Sequence, residues 1–240
     1  AKLTLPDRDY YLDQSDKMQH MRSEYRKHVE LMYDHFPDLA SDKDACWQAI
    51  WDFEETLART MRSRSELRDV QKNYNNKSFA EIIKTYSHLD FAAYAKALGW
   101  TDTGNLSVDQ PEFFELVNTL VAEKNLDTWK TYLKWLFLVE YGGKISEELA
   151  TLRFEFFGRI LSGTTEVMPL WKRVLSSLDA AMGEGVGKLY AAKHFPEESK
   201  RQVLELVEDI RDAYRERIQT LGWMSDDTKK TALEKLTNIK

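Results

Sequence analysis

Cysteine is almost absent from this chain of 240 residues, in which Cys46 is the single example. No disulfide can form within the chain, so its stability has to come from a packed core. Glycine and proline are scarce, with ten and five residues, whereas leucine, alanine, glutamate and lysine are plentiful. This balance favours helices over a β-sandwich or a barrel, and we expect almost no sheet.

The chain also lacks an excess of positive charge and a long apolar run. Its 34 Lys and Arg residues face 40 Asp and Glu residues, and the net charge of −6 argues against nucleic acid as a partner. The longest apolar run, from Leu133 to Tyr141, contains Lys134 and Glu140 and is far shorter than the roughly 20 residues of a membrane span. No signal peptide opens the sequence, which starts without methionine. We therefore expect no membrane segment, and we expect the chain to be an excised or matured segment.

Hydrophobic residues make up 42% of the chain and aromatic residues 12%, which is typical of a globular protein. Their spacing predicts an all-α fold, a single multi-helix domain of about nine to ten helices over residues 1–240. Residues 1–14 are expected to be irregular, and a hint of strand lies at 106–108. The clearest stripes contain Met18, Met21, Tyr25, His28 or Val29, and Met32; Trp47, Ile50, Trp51, Leu57 and Met61; and the inward-facing Val203, Leu206, Val207, Ile210, Tyr214, Ile218 and Leu221.

Helix starts are marked by capping side chains or by a proline that the first turn tolerates. The predicted starts are at Ser15, Ser41, Ser78 with Glu81, Asp90, Pro111, Asn125 or Asp127, Ser146, Pro169 and Ser225. Gly163 is predicted to end a helix in the left-handed conformation. Gly183, Gly185 and Gly187 lie inside the next helix and predict a second helix packed closely against them, so that Gly187→Leu is expected to destabilise the fold.

The residues that usually carry chemistry are scattered. None of the five histidines is spaced for metal binding; they are His20, His28, His35, His88 and His194. Glu24 and His28 are one turn apart, and a surface hydrogen bond between them is favoured over a metal pair. The zinc motif H-E-x-x-H is absent from the sequence.

Other polar groups are interpreted as structural. Cys46 is expected to be a small buried hydrophobe rather than a nucleophile. The spacing of Gly183, Gly185 and Gly187 matches no nucleotide-binding motif. A solvated surface is predicted for the cations Arg59, Arg62, Arg64, Arg68, Lys72 and Lys77, and for the paired carboxylates Glu54–Glu55, Glu147–Glu148 and Glu197–Glu198.

Several short stretches form a combination that points to one family. They include residues 5–11 (LPDRDYY), 78–82 (SFAEI), 161–166 (LSGTTE), 187–190 (GKLY) and 221–225 (LGWMS). In the same order they resemble L-P-x-R-D-Y-Y, T-L-A-x-I, L-x-G-T-x-x, G-x-L-Y and L-x-W-M of the neprilysin family of zinc endopeptidases. The matches extend over essentially the whole chain.

The resemblance implies a helical lobe that faces a thermolysin-like catalytic lobe across a closed chamber. In that family zinc is held by H-E-x-x-H and a later glutamate, and these motifs are absent from residues 1–240. We therefore predict no catalytic, cofactor-binding or metal-binding residue in this chain, with zinc in a catalytic domain that the chain lacks. The implied partners are that lobe of the same polypeptide and peptide substrates. Leu12 and Val174 replace cysteines of vertebrate members, which favours a bacterial protein without disulfides.

Three hypotheses follow from these observations. The leading one is the helical lobe of a zinc-dependent metalloendopeptidase, which limits the size of the peptides that enter and is inert alone. The first alternative is a stand-alone helical interaction or scaffold domain. The second is one half of a nicked or split enzyme with exposed apolar surface. The sequence does not distinguish the bacterial cytoplasm from the periplasm or a secreted location.

Overall fold

The computed structural model describes residues 3–39, 42–101, 103–124 and 126–239, and these residues form two compact units. The first unit covers residues 1–167 and the second covers residues 168–240. The boundary lies just after Gly163, in the segment where the sequence predicts a break between helices. The prediction of one helical domain over residues 1–240 stays a prediction.

The first unit is built from helices and one short ribbon. Its helices are α1 (Asp9–Leu12), α2 (Asp16–Asp34), α3 (Lys43–Thr60), α4 (Val70–Asn73), α5 (Phe79–Thr85), α6 (Phe91–Ala97), α7 (Pro111–Glu123), α8 (Leu126–Tyr141) and α9 (Glu147–Arg153). Short 3-10 turns cover Pro37–Leu39, Glu66–Arg68 and Gly142–Lys144, and α9 continues into a π-helical segment, Phe154–Ile160. Strands β1 (Asn76–Ser78) and β2 (Asn105–Ser107) pair antiparallel, with Lys77 opposite Leu106.

The second unit contains α10 (Leu170–His194), α11 (Glu197–Thr220) and α12 (Asp226–Thr237). Within the described ranges the chain thus has twelve α-helices, ten of them seven residues or longer, which confirms the all-α prediction. The one-turn helix α1 lies in a segment predicted to be irregular. The strand predicted at 106–108 is confirmed with a shift of one residue.

Capping chemistry explains where most helices begin. Ser78 and Glu81 form a reciprocal capping box, and the side chains of Asp90, Ser146 and Ser225 accept backbone N–H bonds at their helix starts. Pro111 is in the first turn of α7, as predicted. The caps predicted at Ser41 and Asn125 lie outside the described residues. Asp42 accepts a hydrogen bond from the Ala45 backbone N–H at 3.0 Å and so caps α3.

The main core of the first unit lies among α2, α3 and α8. The four- and three-residue spacing of Tyr25, Val29 and Met32 puts them on one face of α2, where all three are buried. Trp135 of α8 is fully buried at the centre, with its ring 6.0 Å from that of Tyr25. Rings at these distances stabilise one another beyond the area they bury.

Glu54 of α3 is buried in this core, which corrects the prediction of a solvated Glu54–Glu55 pair. Its Oε1 accepts hydrogen bonds from the Thr4 backbone N–H at 3.1 Å and from the Thr4 hydroxyl at 2.5 Å. Its Oε2 accepts from the hydroxyls of Tyr11 and Tyr25 at 2.9 and 3.0 Å. Burial raises the pKa of Glu54, and the hydrogen bonds from Thr4, Tyr11 and Tyr25 oppose that rise.

A third tyrosine hydroxyl, that of Tyr132, donates to Oε1 at 3.5 Å, and the hydroxyls of Tyr11 and Tyr25 are themselves held in place. The Leu5 backbone N–H donates to the Tyr11 hydroxyl at 2.9 Å, and the Trp135 indole N–H donates to the Tyr25 hydroxyl at 2.8 Å. Each of these two phenols therefore accepts one hydrogen bond and donates another to the carboxylate. This network connects the N-terminal segment, α1, α2, α3 and α8.

The first unit ends in a widened helix and a capped break. Gly163 has φ of 69°, the left-handed conformation predicted for it, and the Thr164 N–H donates to the Gly158 carbonyl at 2.9 Å. In the π-helical segment a Cβ added at Gly158 would lie only 2.4 Å from the Phe154 ring. A larger residue at position 158 would therefore force the Phe154 ring to move.

In the second unit the apolar face of α11 is exposed. Val203, Leu206, Val207, Ile210 and Tyr214 are between 41% and 58% exposed, so the prediction that they face inward is wrong. The helical spacing is confirmed, and Ile218 and Leu221 of the same predicted stripe are half-buried. Of the residues predicted for the last helix, Leu236 of α12 is buried.

The space around the three glycines of α10 also differs from the prediction. A Cβ at Gly183, Gly185 or Gly187 would meet no described atom within 4 Å, so the close helix contact predicted from the sequence is wrong for this structure. Met182, just before them, has the non-helical angles φ −142° and ψ 25°.

Glu54→Gln is predicted to lower the free energy of unfolding by about 3 kcal/mol, since the amide N–H groups would face hydrogen-bond donors in a buried site. The measurement is urea unfolding followed by tryptophan fluorescence. The matched control is Glu55→Gln, which loses a helix-surface pair with Arg59 and should cost about 0.5 kcal/mol or less. Similar losses in the two variants would contradict the role assigned to Glu54.

Gly187→Ala is predicted to raise the free energy of unfolding by about 0.5–1 kcal/mol, because alanine favours the helix and the site has open space. Thermal unfolding followed by circular dichroism measures the change. Gly163→Ala is the opposite control, because its positive φ penalises a Cβ and should make that variant about 1 kcal/mol less stable. Destabilisation by Gly187→Ala would show that a close contact exists after all.

Candidate functional site

The described residues contain no group of three or more His, Cys, Asp or Glu side chains placed to hold a metal ion. A zinc ion, which the family resemblance implies for a whole enzyme, therefore finds no ligand set in the part of the chain that the structure describes. That the chain has no catalytic, cofactor-binding or metal-binding residue stays a prediction.

The five histidines occupy different environments in the structure. His20, His88 and His194 are exposed, and His35 has its Nε2 4.0 Å from a Glu148 carboxylate oxygen. His28 is buried and stacks on Phe156, with ring centroids 5.1 Å apart. None of these arrangements joins two histidines.

The surface hydrogen bond predicted between Glu24 and His28 is wrong. Glu24 instead pairs with Lys27 at 2.5 Å, whereas His28 points into the aromatic core beside Phe156 and Trp135. Burial, and secondarily the charge of Arg153, lowers the pKa of His28 to about 4. The neutral imidazole thus acts as a flat core side chain.

Arg62 departs from the other cations of the predicted solvated cluster. Its guanidinium is buried and donates to both carboxylate oxygens of Glu112, at 2.9 and 3.0 Å. It also donates to the carbonyls of Lys72 and Asp109, each at 2.8 Å. Nη2 makes both bonds to Glu112 and Nη1 makes the bonds to the carbonyls, so Arg62 ties the end of α3 to the 63–77 segment and to the start of α7. Arg59, Arg64 and Arg68 are exposed, as predicted.

Cys46 is half-buried and packs against the main core, in keeping with a small hydrophobic role. Burial raises the pKa of its thiol, and the charge of Asp42 adds to the rise. A thiol with a raised pKa is a poor nucleophile at neutral pH, because the thiolate is the reactive form.

The first unit also contains a cavity of about 360 Å³ between α5, α6, β2 and the start of α7. We call it the aromatic cavity, because seven of its lining residues are aromatic. They are Phe79, Tyr86, Phe91, Tyr94, Trp100, Phe113 and Phe114. A small second core of Ile82, Tyr86 and Val108 supports one wall. The sequence pattern does not predict this cavity, although its aromatic residues recur at helical spacing.

The polar groups of the aromatic cavity are few. Asp109 is the one charged side chain among the described lining residues, and it is exposed. The Gln110 side-chain oxygen already accepts the Arg62 backbone N–H at 3.0 Å. The hydroxyl of Tyr86 is buried and has no hydrogen-bond partner within the described ranges.

Solved structures of zinc metalloproteases share the fold of this chain. Mycobacterium tuberculosis zinc metalloprotease Zmp1 in its open state is similar with a TM-score of 0.82 and 29% identity, over 99% of this chain and 37% of that chain. PepO from Lactobacillus rhamnosis HN001 has a TM-score of 0.84 at 19% identity, covering 99% of this chain and 38% of that chain, which shows the fold alone. The fold is thus that of the helical lobe of metallopeptidases.

The family follows from the sequence comparison. The model for peptidase family M13 matches residues 1–240, and the chain belongs to that family as an N-terminal domain. The neutral endopeptidase of Lactobacillus helveticus is 27% identical over 77% of this chain and 28% of its own length. Endothelin-converting enzyme 1 of Cavia porcellus is 26% identical over 99% of this chain and 32% of its own length.

The chain therefore spans about a third of the length of the curated relatives it matches. Bacterial proteins are among the relatives and among the similar structures, which supports the prediction of a bacterial member. In the part of the chain that the structure describes, no helix is both long enough and apolar enough to cross a membrane.

His28 predicts a pH dependence of stability. Its pKa falls from 6.5 to about 4 on folding, so the unfolded chain binds a proton in this window that the folded chain does not. Stability is full above pH 6.5 and declines as the pH falls toward 4. We expect His28 to contribute a loss of about 3 kcal/mol between pH 7 and pH 4, measured as the free energy of unfolding in urea.

Two variants isolate this contribution. His28→Phe should flatten the decline, because it removes the titrating group while keeping a ring next to Phe156. His20→Gln, on the exposed side of the same helix, should leave the decline as in the parent chain. If His28→Phe and the parent lost stability equally across this pH range, the lowered pKa would not be the cause.

Proposed function

We propose that residues 1–240 form the helical lobe of a zinc metalloendopeptidase, which encloses the active-site chamber and limits the size of the peptides that enter it. The observation that carries the proposal is the share of each protein that the similarity covers. The M13 model matches the whole chain, whereas the chain accounts for 37% of a similar zinc metalloprotease. The remaining length of such a protein is available for a catalytic lobe.

In this proposal zinc and the catalytic residues belong to the part of the enzyme outside residues 1–240. The described residues offer no ligand set for the ion, and the sequence lacks H-E-x-x-H. The chain contributes a wall and no chemistry, so it does not cleave peptides alone. The proposed partners are the catalytic lobe of the same polypeptide and the peptides enclosed between the lobes.

The exposed face of α11 supports a larger assembly. A stripe of five apolar side chains from Val203 to Tyr214 repeats at helical spacing, and a monomeric soluble protein rarely leaves a contiguous face of this kind in water. In the whole enzyme this face would pack against further chain.

A stand-alone interaction domain is the second candidate, because the same face of α11 suits a separate protein partner. The coding sequence that follows residue 240 separates the two hypotheses. An open reading frame that continues into H-E-x-x-H supports the lobe, whereas an immediate stop codon supports the interaction domain.

The chain of residues 1–240 is predicted to bind less than stoichiometric zinc and to show no chelator-sensitive cleavage of peptides. Metal analysis after dialysis and a fluorogenic peptide assay measure the two properties. The control is the longer polypeptide encoded with its downstream region, which should contain zinc and cleave the same peptides. Stoichiometric zinc together with chelator-sensitive cleavage by residues 1–240 would overturn the proposal.

A further inference from the structure

The ribbon of β1 and β2 has two outer edges. Backbone hydrogen bonds close its two ends, from the Val108 N–H to the Asn75 carbonyl at 3.0 Å and from the Phe79 N–H to the Gly104 carbonyl at 3.2 Å. Hydrogen-bonded and non-bonded residue pairs alternate along an antiparallel ladder. The backbone N–H and C=O groups of the two non-bonded pairs therefore point away from the partner strand. These pairs are Asn76 opposite Ser107 and Ser78 opposite Asn105.

The two edges differ in what already occupies them. On the β1 edge, the Ser78 N–H donates to the Glu81 carboxylate at 2.8 Å as part of the capping box. On the β2 edge, Asn105 and Ser107 are exposed, and their outward backbone groups make no hydrogen bond with the described part of the chain. The β2 edge thus offers two N–H donors and two C=O acceptors, placed as in a strand that continues a sheet.

The aromatic cavity lies along one face of β2. Leu106 is half-buried and Val108 is buried, and both line the cavity. Ser107 lines it as well, so the cavity extends along the strand. Trp100, another lining residue, is 48% exposed, which leaves this wall open to water. Side chains alternate between the two faces of a sheet, so a strand added beside β2 would place every second side chain on the cavity face.

We propose that the β2 edge binds an extended peptide as an added strand, with one aromatic side chain of the peptide in the aromatic cavity. The backbone groups of Asn105 and Ser107 select for polypeptide, because the alternating N–H and C=O groups of an extended chain are their complement. The cavity volume of about 360 Å³ is more than twice the roughly 150 Å³ of an apolar cavity that binds benzene. It therefore has room for a phenylalanine side chain.

The short edge limits the strength of this interaction. Four backbone hydrogen bonds correspond to a Kd on the order of 1 mM, and the side chain in the cavity offsets the cost of ordering the peptide. We therefore expect weak and reversible capture of a peptide. The proposal does not rest on the enzyme assignment, because the ribbon and the cavity are both contained in the first unit.

The first test uses backbone-methylated peptides on the 240-residue chain, with binding followed by amide chemical shifts in NMR. The parent is a capped five-residue peptide with phenylalanine at its centre and valine and threonine on either side. One form has N-methyl groups on its second and fourth residues, and another has them on its third and fifth. The N–H groups of alternate residues point to opposite edges of a strand, so one form should bind like the parent and the other roughly tenfold more weakly. Equal affinity of all three peptides overturns the proposal.

A pair of proline variants tests the edge of the protein. Ser107→Pro removes one outward N–H of β2 and no ladder bond, so the ribbon should remain and the affinity should fall roughly fivefold, the effect of one net hydrogen bond. Asn76→Pro is the matched control, because it removes the outward N–H of β1 instead and should leave the affinity unchanged. Thermal unfolding confirms that both variants fold. An equal effect of the two variants on binding contradicts an added strand at β2.

The remaining controls concern the cavity and other occupants of the edge. A peptide with alanine in place of phenylalanine should bind at least tenfold more weakly, because it leaves the cavity empty. Equal affinity of these two peptides overturns the role of the cavity, and failure of the parent peptide to bind at millimolar concentration overturns the whole proposal. Protection of the Ser107 amide from hydrogen exchange that is lost on dilution of the free chain would assign the edge to a second copy instead. None of these results bears on the zinc and cleavage assays.

Discussion

A single buried carboxylate organises the first unit. Glu54 gathers hydrogen bonds from a backbone N–H and four hydroxyls, those of Thr4, Tyr11, Tyr25 and Tyr132, and no cation is among these partners. A carboxylate buried with a cation can keep its charge by pairing, but here neutral donors alone offset the loss of water. The donors come from the N-terminal segment, α1, α2 and α8, so the carboxylate fixes the positions of those parts relative to one another. The aromatic core of Tyr25 and Trp135 is arranged around this constraint.

Arg62 is a buried positive charge, and hydrogen-bond acceptors compensate it as the donors compensate the buried Glu54. Its buried guanidinium faces the Glu112 carboxylate and the main-chain carbonyls of two segments. The 63–77 segment contains only short elements, namely a 3-10 turn, α4 and the start of β1, and the bonds from Arg62 add to the few hydrogen bonds that such short elements make internally. Two charged side chains of α3 and its C-terminal end thus hold together parts of the unit that apolar packing alone would leave loosely specified.

The sequence predicts the helices well, but it predicts poorly which of their side chains are buried. Caps such as Ser78 and the left-handed Gly163 depend on neighbours within a few residues, so the local sequence is enough to predict them. The sequence does not predict the burial of Glu54, because charged residues generally prefer water even at a position, such as this one, that continues the stripe of Ile50 and Leu57. Periodicity identified the apolar face of α11, but whether anything covers a face depends on distant chain.

The same limit applies to the candidate sites. The family resemblance depends on short motifs and was confirmed across the chain, whereas the aromatic cavity arises from helices and a strand that meet only in three dimensions. Phe91 and Phe114 look like ordinary core positions in the sequence, and they do pack together. The cavity between the helices of these two residues is a property of the three-dimensional fold, and residue spacing in the sequence does not predict it.

The π-helical segment Phe154–Ile160 bears on how sequences of this family are aligned. A π turn holds one residue more than an α turn, so a relative that lacks this residue can keep both helix ends and simply tighten the turn. A single-residue gap near Gly158 in an alignment would then record a change of helix geometry rather than a shortened loop. Positions beyond such a gap would keep their equivalence only if the gap is placed inside the helix.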